Sequence, residues 1–180
     1  MSALGNRAWA DEALIGADQA WGQLNPPLPL KGLKFFHPDG TPGSLDEFAG
    51  RVVVVNLWAT WCPSCKIELP SLNRLAARIK PFGGVVLAIS IDDQGMDAVA
   101  PFIKAHGYQN LHVATDADGA DLDLLGADGI PATVVLRPDG RAVVALEGGA
   151  DWDTDAVVAF LQKLAGPQKA PVASKSVQGV

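Results

Sequence analysis

Cys62 and Cys65 are the residues of this sequence best suited to chemistry, and they are the only two cysteines among its 180 residues. A disulfide framework that stabilises a small domain needs more cysteines and usually closes longer loops. The pair is therefore predicted to be a reactive site. It follows an apolar run directly, and Pro63 suits the first turn of a helix, so a helix is predicted to begin at the pair.

A helix N-terminus favours a thiolate at Cys62. Unpaired backbone N–H groups and the helix dipole stabilise an anion there, and such a position can lower a cysteine pKa from about 8.5 to roughly 3.5–7.5. The Cys62 thiolate would attack the disulfide of a partner, and the more buried Cys65 would then release the reduced partner. Run backwards, the same steps would oxidise a partner dithiol. The pattern therefore predicts a thiol–disulfide oxidoreductase whose direction depends on its reduction potential.

The surrounding pattern predicts strands that alternate with helices. Val52–Trp58 has no polar residue before Asn56, which is typical of a strand buried on both faces. Helices are predicted at 45–49, from the cysteines to about 80, and at 96–106, 122–125 and 155–164, and further strands at 33–36, 85–91, 111–115, 132–137 and 142–147. This order predicts an α/β fold with a mixed central sheet and helices on both faces.

The two ends of the chain are predicted to lie outside this domain. Residues 1–27 are predicted to form an N-terminal unit of amphipathic helix and Pro-rich linker. The helical stripe lies within 1–25 and ends at Trp21 and Leu24, and the residues at 25–29 have the composition of a stiff linker. The helix is expected to pack on its own domain, with a dimer contact or the remains of a membrane tether as alternatives. The domain itself is predicted over 28–165, and 166–180 is predicted to be a disordered tail.

Composition and spacing argue against several classes of function. A net charge of −6 without any Lys/Arg-rich run argues against a nucleic-acid partner. No segment has the roughly 20 apolar residues that span a bilayer, and the first 25 residues do not have the pattern of a signal peptide. Neither a cofactor nor a metal is expected. His106 and His112 could serve zinc, but they lie about 40 residues or more from Cys65.

Two motifs resemble the thioredoxin superfamily, in particular the bacterial periplasmic TlpA, ResA and cytochrome-maturation thioredoxin-like reductases. The first is Val53–Pro70, VVVNLWATWCPSCKIELP, and the second is Gly129–Thr133, GIPAT, which resembles the cis-proline loop. The resemblance covers about 28–165 and implies a thioredoxin-like three-layer sandwich. It also implies that Pro131 is cis and lies beside the cysteines, and that the backbone of Ile130 pairs with a partner peptide. An ordinary trans turn proline is the alternative.

The resemblance also implies an acid near the second cysteine. Glu68, one helical turn beyond Cys65, resembles the active-site acid of the ResA-like reductases. Such a carboxylate would disfavour a thiolate and could accept the Cys65 proton. Asn56 stands where many thioredoxins have a buried carboxylate. The alternative for Glu68 is a solvated surface residue.

The remaining residues of the motif are expected to meet the substrate. Trp61 is expected to cover the site, with a core position as the alternative, and Pro70 is expected to kink the helix. The predicted substrate-binding set is Trp61, Pro63, Ser64, Ile130 and Pro131. Many relatives have proline immediately before the second cysteine, whereas Ser64 stands there in this chain. Since these positions tune the reduction potential, the resemblance does not fix its value.

The resulting functional prediction is a monomeric reductase of protein disulfides in the bacterial periplasm, anchored or exported in its full-length form. An upstream thiol donor would supply electrons, and a membrane thiol transporter is one candidate. A general thioredoxin, a thiol oxidase and a copper(I) chaperone that uses the same cysteines remain alternatives. A peroxidase is disfavoured because Val55 and Ala59 occupy positions where peroxiredoxins have Pro and Thr.

Overall fold

The computed structural model describes residues 22–116 and 118–166, which form one eight-stranded sheet and four α-helices. The strands are β1 Gly22–Pro29, β2 Lys34–Phe36, β3 Pro42–Ser44, β4 Val53–Trp58, β5 Val85–Ser90, β6 His112–Thr115, β7 Ala132–Leu136 and β8 Arg141–Glu147. The helices are α1 Pro63–Ile79, α2 Met96–His106, α3 Ala120–Leu125 and α4 Asp155–Ala165, with 3₁₀ turns at Leu45–Phe48 and Lys80–Phe82. None of these helices is long and apolar enough to cross a membrane.

The sheet is mixed, with the strand order β1-β8-β7-β4-β5-β6-β2-β3. Strands β4, β5 and β6 run parallel, whereas β7 and β8 are antiparallel to their neighbours. Every residue of β4 and β5 is buried, as expected for apolar strands covered on both faces. Because parallel strands end at the same edge, the residues that follow β4, β5 and β6 come together there.

Two hydrophobic clusters cover the two faces of the sheet. On one face α1, α2 and α4 contribute buried side chains such as Leu72, Val99 and Leu161. On the other face α3 contributes Leu125, which packs in a cluster with Phe35 from β2. Helices on both sides of a mixed sheet confirm the predicted α/β three-layer architecture.

The structure corrects the prediction at residues 25–29. The sequence predicts a Pro-rich linker there, and the structure instead places these residues in β1, paired antiparallel with β8. An edge strand tolerates proline because its outer N–H groups need no partner, and the pairing register shifts between Gln23 and Leu28. β1 spans the predicted junction at 27–28. Residues 1–21 and 167–180, which carry most of the predicted helix and tail, lie outside the described residues.

The other predicted elements are confirmed, with boundaries that differ by at most a few residues. The strand predicted at 33–36 is β2, which pairs antiparallel with β3 in a hairpin. The predicted short helix at 45–49 is a 3₁₀ turn, and its first residue follows Ser44, whose N–H donates to Glu47 Oε1 at 2.8 Å. Pro70 lies inside α1 as predicted, whereas the kink assigned to it stays a prediction.

Candidate active site

Cys62 and Cys65 lie where β4 ends and α1 begins. Cys62 is the N-cap of α1 in extended conformation (φ −85°, ψ 114°), and Pro63 is the first helical residue. The backbone N–H of Cys65 donates to Cys62 Sγ at 3.2 Å, so a helix N–H group faces the sulfur as predicted. The two sulfurs form a disulfide with the Cα atoms 5.3 Å apart. Cys62 is 3% exposed and Cys65 is 0% exposed.

The loop before β7 lies against the first sulfur. The Ile130–Pro131 peptide bond is cis, which confirms the prediction and makes the trans alternative wrong. The carbonyl oxygen of Ile130 lies 3.8 Å from Cys62 Sγ. The carbonyl of Pro131 accepts the N–H of Gly148 at 2.8 Å, so this loop is tied to the residue that follows β8. The two motifs, about 65 residues apart in sequence, thus meet at the disulfide.

Several residues next to the two cysteines in the sequence have exposed side chains. Trp61 is 61% exposed, so the alternative of a core position for it is wrong. Pro63 and Ser64 are also exposed, and Ser64 Oγ lies 3.5 Å from Cys62 Sγ. Ile67, one turn into α1, is 81% exposed. Cys62 therefore has two large apolar side chains on the surface near it in sequence.

Glu68 is buried, only 2% exposed, so the alternative of a solvated surface residue is wrong. Its carboxyl group accepts three hydrogen bonds, from Asn56 Nδ2 at 2.8 Å, the Ala150 N–H at 3.1 Å and Trp152 Nε1 at 3.1 Å. Burial raises the pKa of Glu68 above its ordinary value, and the three hydrogen bonds oppose that rise. The site thus contains a buried acid held by three donors.

Asn56, on β4, connects this strand to α1 and to β7. Its Nδ2 group donates to Glu68 on α1 and, at 2.9 Å, to Thr133 Oγ1 on β7. Asn56 itself lies in the middle of β4 and is fully buried. The amide that replaces the buried carboxylate of many thioredoxins therefore serves here to hold the acid on the helix.

The segment 148–154, here called the β8–α4 connection, supplies two of the Glu68 donors and is absent from the predicted site. Ala150 and Trp152 belong to it, and Trp152 is fully buried. Trp152 stands in the run Asp151–Asp155, whose other residues are three aspartates and one threonine. A lone large apolar residue in such a run was the available signal, although it does not indicate what the tryptophan touches.

Asp92 is a second residue that the sequence prediction missed. It accepts hydrogen bonds from the Thr60 N–H at 2.8 Å and the Thr60 hydroxyl at 2.6 Å, and Ser90 Oγ donates to it at 2.6 Å. These bonds fix the turn that leads from β4 to Cys62. The available signal was its position directly after β5, at the sheet edge where β4 also ends.

The zinc alternative gains no support. Between residues 22 and 166, with residue 117 left aside, no group of three or more His, Cys, Asp or Glu side chains could hold a metal ion. His106 Nδ1 lies 2.8 Å from the carbonyl of Phe102, and the His112 ring packs against Phe48. Neither histidine is placed with the cysteines by these contacts.

A family model described as the AhpC/TSA family matches residues 25–144. The chain belongs to the AhpC/TSA family. The matched range begins in β1 and ends in β8, so it includes the cysteine pair, Glu68 and the cis-proline loop.

Curated relatives of this AhpC/TSA chain are thiol–disulfide proteins. It is 31% identical to the thiol-disulfide oxidoreductase ResA of Bacillus subtilis over 104 residues. This aligned stretch covers 58% of this chain and 57% of that protein. It is 37% identical over 95 residues to the thiol:disulfide interchange protein DsbE of Pseudomonas aeruginosa, 52% of this chain and 49% of that protein. The matches therefore span less than two thirds of the length of these relatives.

Solved structures share the fold of this AhpC/TSA chain. A thiol:disulfide interchange protein of the thioredoxin family from Chlorobium tepidum superposes with a TM-score of 0.63 at 24% identity, covering 76% of this chain and 97% of that one. The pneumococcal exposed lipoprotein thioredoxin of Streptococcus pneumoniae gives a TM-score of 0.58 at 25% identity, covering 73% and 98%. The predicted thioredoxin-like fold is confirmed.

Proposed function

We propose that this protein is a thiol–disulfide oxidoreductase that reduces disulfides in partner proteins through Cys62 and Cys65. The observation that carries the proposal is the cysteine pair joined at the N-terminus of α1, with the cis-proline loop 3.8 Å from the first sulfur. The relatives named for ResA and DsbE support the same chemistry. Their names also support a protein disulfide as the substrate.

The reaction begins with the reduced pair. The Cys62 thiolate attacks one sulfur of the partner's disulfide, a mixed disulfide forms, and the partner's second sulfur leaves as a thiolate. Cys65 then loses its proton and attacks Cys62 Sγ, which breaks the mixed disulfide and forms the Cys62–Cys65 disulfide. The partner gains two electrons and, with two protons, ends as a dithiol. An upstream thiol donor returns two electrons to the enzyme.

Glu68 favours the reducing direction. It lies one helical turn after Cys65 and its carboxyl group is buried among donors. We assign it as the group that takes the Cys65 proton when Cys65 attacks. A nearby carboxylate also destabilises a thiolate and so weakens the reduced form of the pair. About 30 mV of reduction potential corresponds to about 1.4 kcal/mol, so one such contact changes the potential measurably.

The surface around Cys62 is assigned to the partner. Trp61, Pro63 and Ser64 are exposed beside the disulfide, and the Ile130–Pro131 backbone lies on its other side. We assign Trp61, Pro63, Ser64, Ile130 and Pro131 to contact the polypeptide that bears the target disulfide. The exposed indole of Trp61 supplies apolar contact area next to the sulfur that forms the mixed disulfide.

We place the protein in the periplasm, as a monomer that receives electrons from an upstream dithiol, with a membrane thiol transporter as one candidate. The resemblance to the periplasmic TlpA- and ResA-like reductases supports this placement. One solved relative in fold is an exposed lipoprotein, which also works outside the cytoplasm. Disulfide substrates accumulate in such oxidising surroundings.

The mechanism is tested by exchanging each cysteine for serine and assaying reduction of insulin disulfides. Cys62→Ser is expected to abolish activity, and Cys65→Ser is expected to accumulate mixed disulfides that dithiothreitol releases. Gln162→Ala, at an exposed residue of α4, keeps both sulfurs and the residues around them and is the control, expected to retain activity. Full activity in Cys62→Ser would overturn the proposal.

The direction is tested by equilibrating the protein with glutathione buffers. A reductase is expected to have a potential near or below the −270 mV of thioredoxin. A potential near about −120 mV, which is that of a strong oxidant, would replace the reductase assignment with a thiol oxidase.

A further inference from the structure

The two oxygens of the buried Glu68 carboxyl group have different surroundings. Oε2 accepts two hydrogen bonds, from the Ala150 N–H and from Trp152 Nε1, each at 3.1 Å. Oε1 accepts one, from Asn56 Nδ2 at 2.8 Å. Each carboxylate oxygen has about two lone-pair sites. Among the donors of residues 22–116 and 118–166, two thus fill both sites on Oε2 and one fills a single site on Oε1, which leaves its second site open.

We propose that Trp152 is a positioning residue for Glu68, and that the carboxyl group gains and loses its proton at Oε1, on the Asn56 side. A proton on Oε2 would displace one of two buried N–H donors and leave it unpaired, which is costly inside a protein. The proposal rests on the proposed function, in which Glu68 takes the proton of Cys65. It assigns to Trp152 the task of keeping the receiving oxygen in one orientation.

The donors are fixed to the same helix that bears the acid. Ser71 Oγ accepts the backbone N–H of Trp152 at 3.2 Å and donates to the carbonyl of Glu68 at 2.7 Å. Further along α1, Arg74 bonds Asp153 at 2.6 Å and Arg78 bonds it at 3.1 Å. Since α1 holds the β8–α4 connection at three successive turns, the indole and the carboxyl group are kept in register.

The charged groups around Glu68 are few. A groove of about 570 Å³ at the surface is lined by Glu68 together with Ser64 and Gly149, and its charged side chains besides Glu68 are Arg74 and Asp151. Within the part of the chain that the structure describes, the direct hydrogen-bond partners of the Glu68 carboxyl group are all neutral donors. Those donors, rather than an ion pair, are what the structure provides to orient the acid.

The test removes the indole N–H donor of residue 152 and keeps an aromatic side chain at that position. Trp152→Phe eliminates the indole N–H, and Trp58→Phe is the matched control. Trp58 is equally buried, and its Nε1 has no hydrogen-bond partner among the residues from 22 to 166 other than 117. The readout is the carboxyl ¹³C titration of Glu68 in the oxidised protein, which contains no thiol and does not depend on activity.

Trp152→Phe is expected to raise the Glu68 midpoint by about one pH unit, a tenfold gain in proton affinity, because a bond to the charged form is lost. Trp58→Phe is expected to leave the midpoint unchanged. An unchanged midpoint in Trp152→Phe, or an equal shift in Trp58→Phe, overturns the positioning role.

A second measurement needs no variant and covers the case in which Trp152→Phe does not fold. In an atomic-resolution crystal structure of the wild-type protein below the Glu68 midpoint, the Cδ–Oε1 bond is expected to be longer than Cδ–Oε2. The reverse order overturns the assignment of the proton. The outcomes also separate the two proposals. If Glu68→Gln leaves insulin reduction and the Cys65 titration unchanged, the acid role in the proposed function fails, while the titration and bond lengths still decide the positioning of Glu68.

Discussion

Glu68 and Asp121 are both buried carboxyl groups, and their surroundings differ. Glu68 accepts three hydrogen bonds, whereas Asp121 accepts one, from the Lys34 N–H at 3.1 Å. Asp121 Oδ2 is buried without a hydrogen-bond partner in the part of the chain that the structure describes. Burial raises both pKa values, but donors oppose the rise at Glu68, whereas the carboxylate of Asp116 adds to it at Asp121, whose pKa reaches about 7.

Glu68 is a buried acid held by three donors, whereas Asp121 is a buried acid held by one donor and placed beside a second carboxylate. Donors around Glu68 keep a buried carboxylate tolerable, so it can exchange a proton without breaking its surroundings. Asp121 instead faces Asp116, which accepts the Asp121 backbone N–H at 2.8 Å and sits directly after β6. Burial, and after it repulsion by Asp116, raises the pKa of Asp121 to about 7, so the neutral acid is favoured below neutral pH. The two sites therefore predict unequal responses to the same kinds of substitution.

The largest expected effect is a difference in the free energy of unfolding between leucine variants at the two sites. Glu68→Leu leaves three buried donors unpaired and is expected to cost about 3–5 kcal/mol of unfolding free energy. Asp121→Leu leaves one donor unpaired and removes the repulsion with Asp116, so its cost is expected to be about 1 kcal/mol. Urea unfolding at pH 7.5 measures both. Equal losses would break the comparison.

The next effect is the pH dependence that Asp121 contributes to stability. Its pKa in the folded protein, about 7, lies above the ordinary value of 3.8, so the folded state binds the proton more tightly. The stability that this group contributes is therefore expected to be lost as the pH rises from about 4 to 7. Asp121→Asn is expected to remove this loss and to be about 2 kcal/mol more stable at pH 8, with no gain at pH 3.5.

Unfolding curves across this pH range provide the check, with Asp118→Asn as the matched control on the same acidic segment. Asp118 is exposed, so its substitution is expected to change the slope little. A gain from Asp121→Asn that is equal at both pH values would mean that proton uptake by Asp121 is not its source.

The smallest expected effect is a change in the titration midpoint of the Cys65 thiol, which is expected for Glu68 and not for Asp121. Glu68→Gln removes the negative charge one turn from Cys65 and is expected to lower the titration midpoint of the Cys65 thiol by about one unit. Asp121→Asn is expected to leave that midpoint unchanged. The carbon-13 chemical shift of Cys65 Cβ, titrated in the Cys62→Ser background, reports the Cys65 thiol alone and needs no reagent to reach the buried sulfur. An equal response to both substitutions would show that Glu68 has no special link to Cys65.

The cysteine site was predictable from sequence because its main parts are local. The apolar run of β4, the Cys62-Pro63-Ser64-Cys65 motif and Glu68 one turn later all lie within one short stretch of chain. Pro131 was found through its resemblance to a family motif rather than through any physical pattern in the residues around it.

The rest of the site depends on contacts between residues that are far apart in the sequence. Trp152 meets Glu68 across a separation of 84 residues, and Asp92 meets Thr60 across 32. Such pairs have no periodicity that a sequence pattern could reveal. β1 was missed for a related reason, because three prolines indicate a linker unless the antiparallel partner β8 is already known.

The near-complete burial of both sulfurs has a consequence for selectivity in the cell. Because Cys62 is only 3% exposed and Cys65 is fully covered, a small thiol such as glutathione is expected to react slowly with the oxidised pair. Under the proposed function, exchange with a protein that fits the rim formed by Trp61 and the Ile130–Pro131 loop would be faster. The oxidation state of the pair would then follow the docked proteins during turnover and would reach equilibrium with a glutathione buffer only on longer incubation.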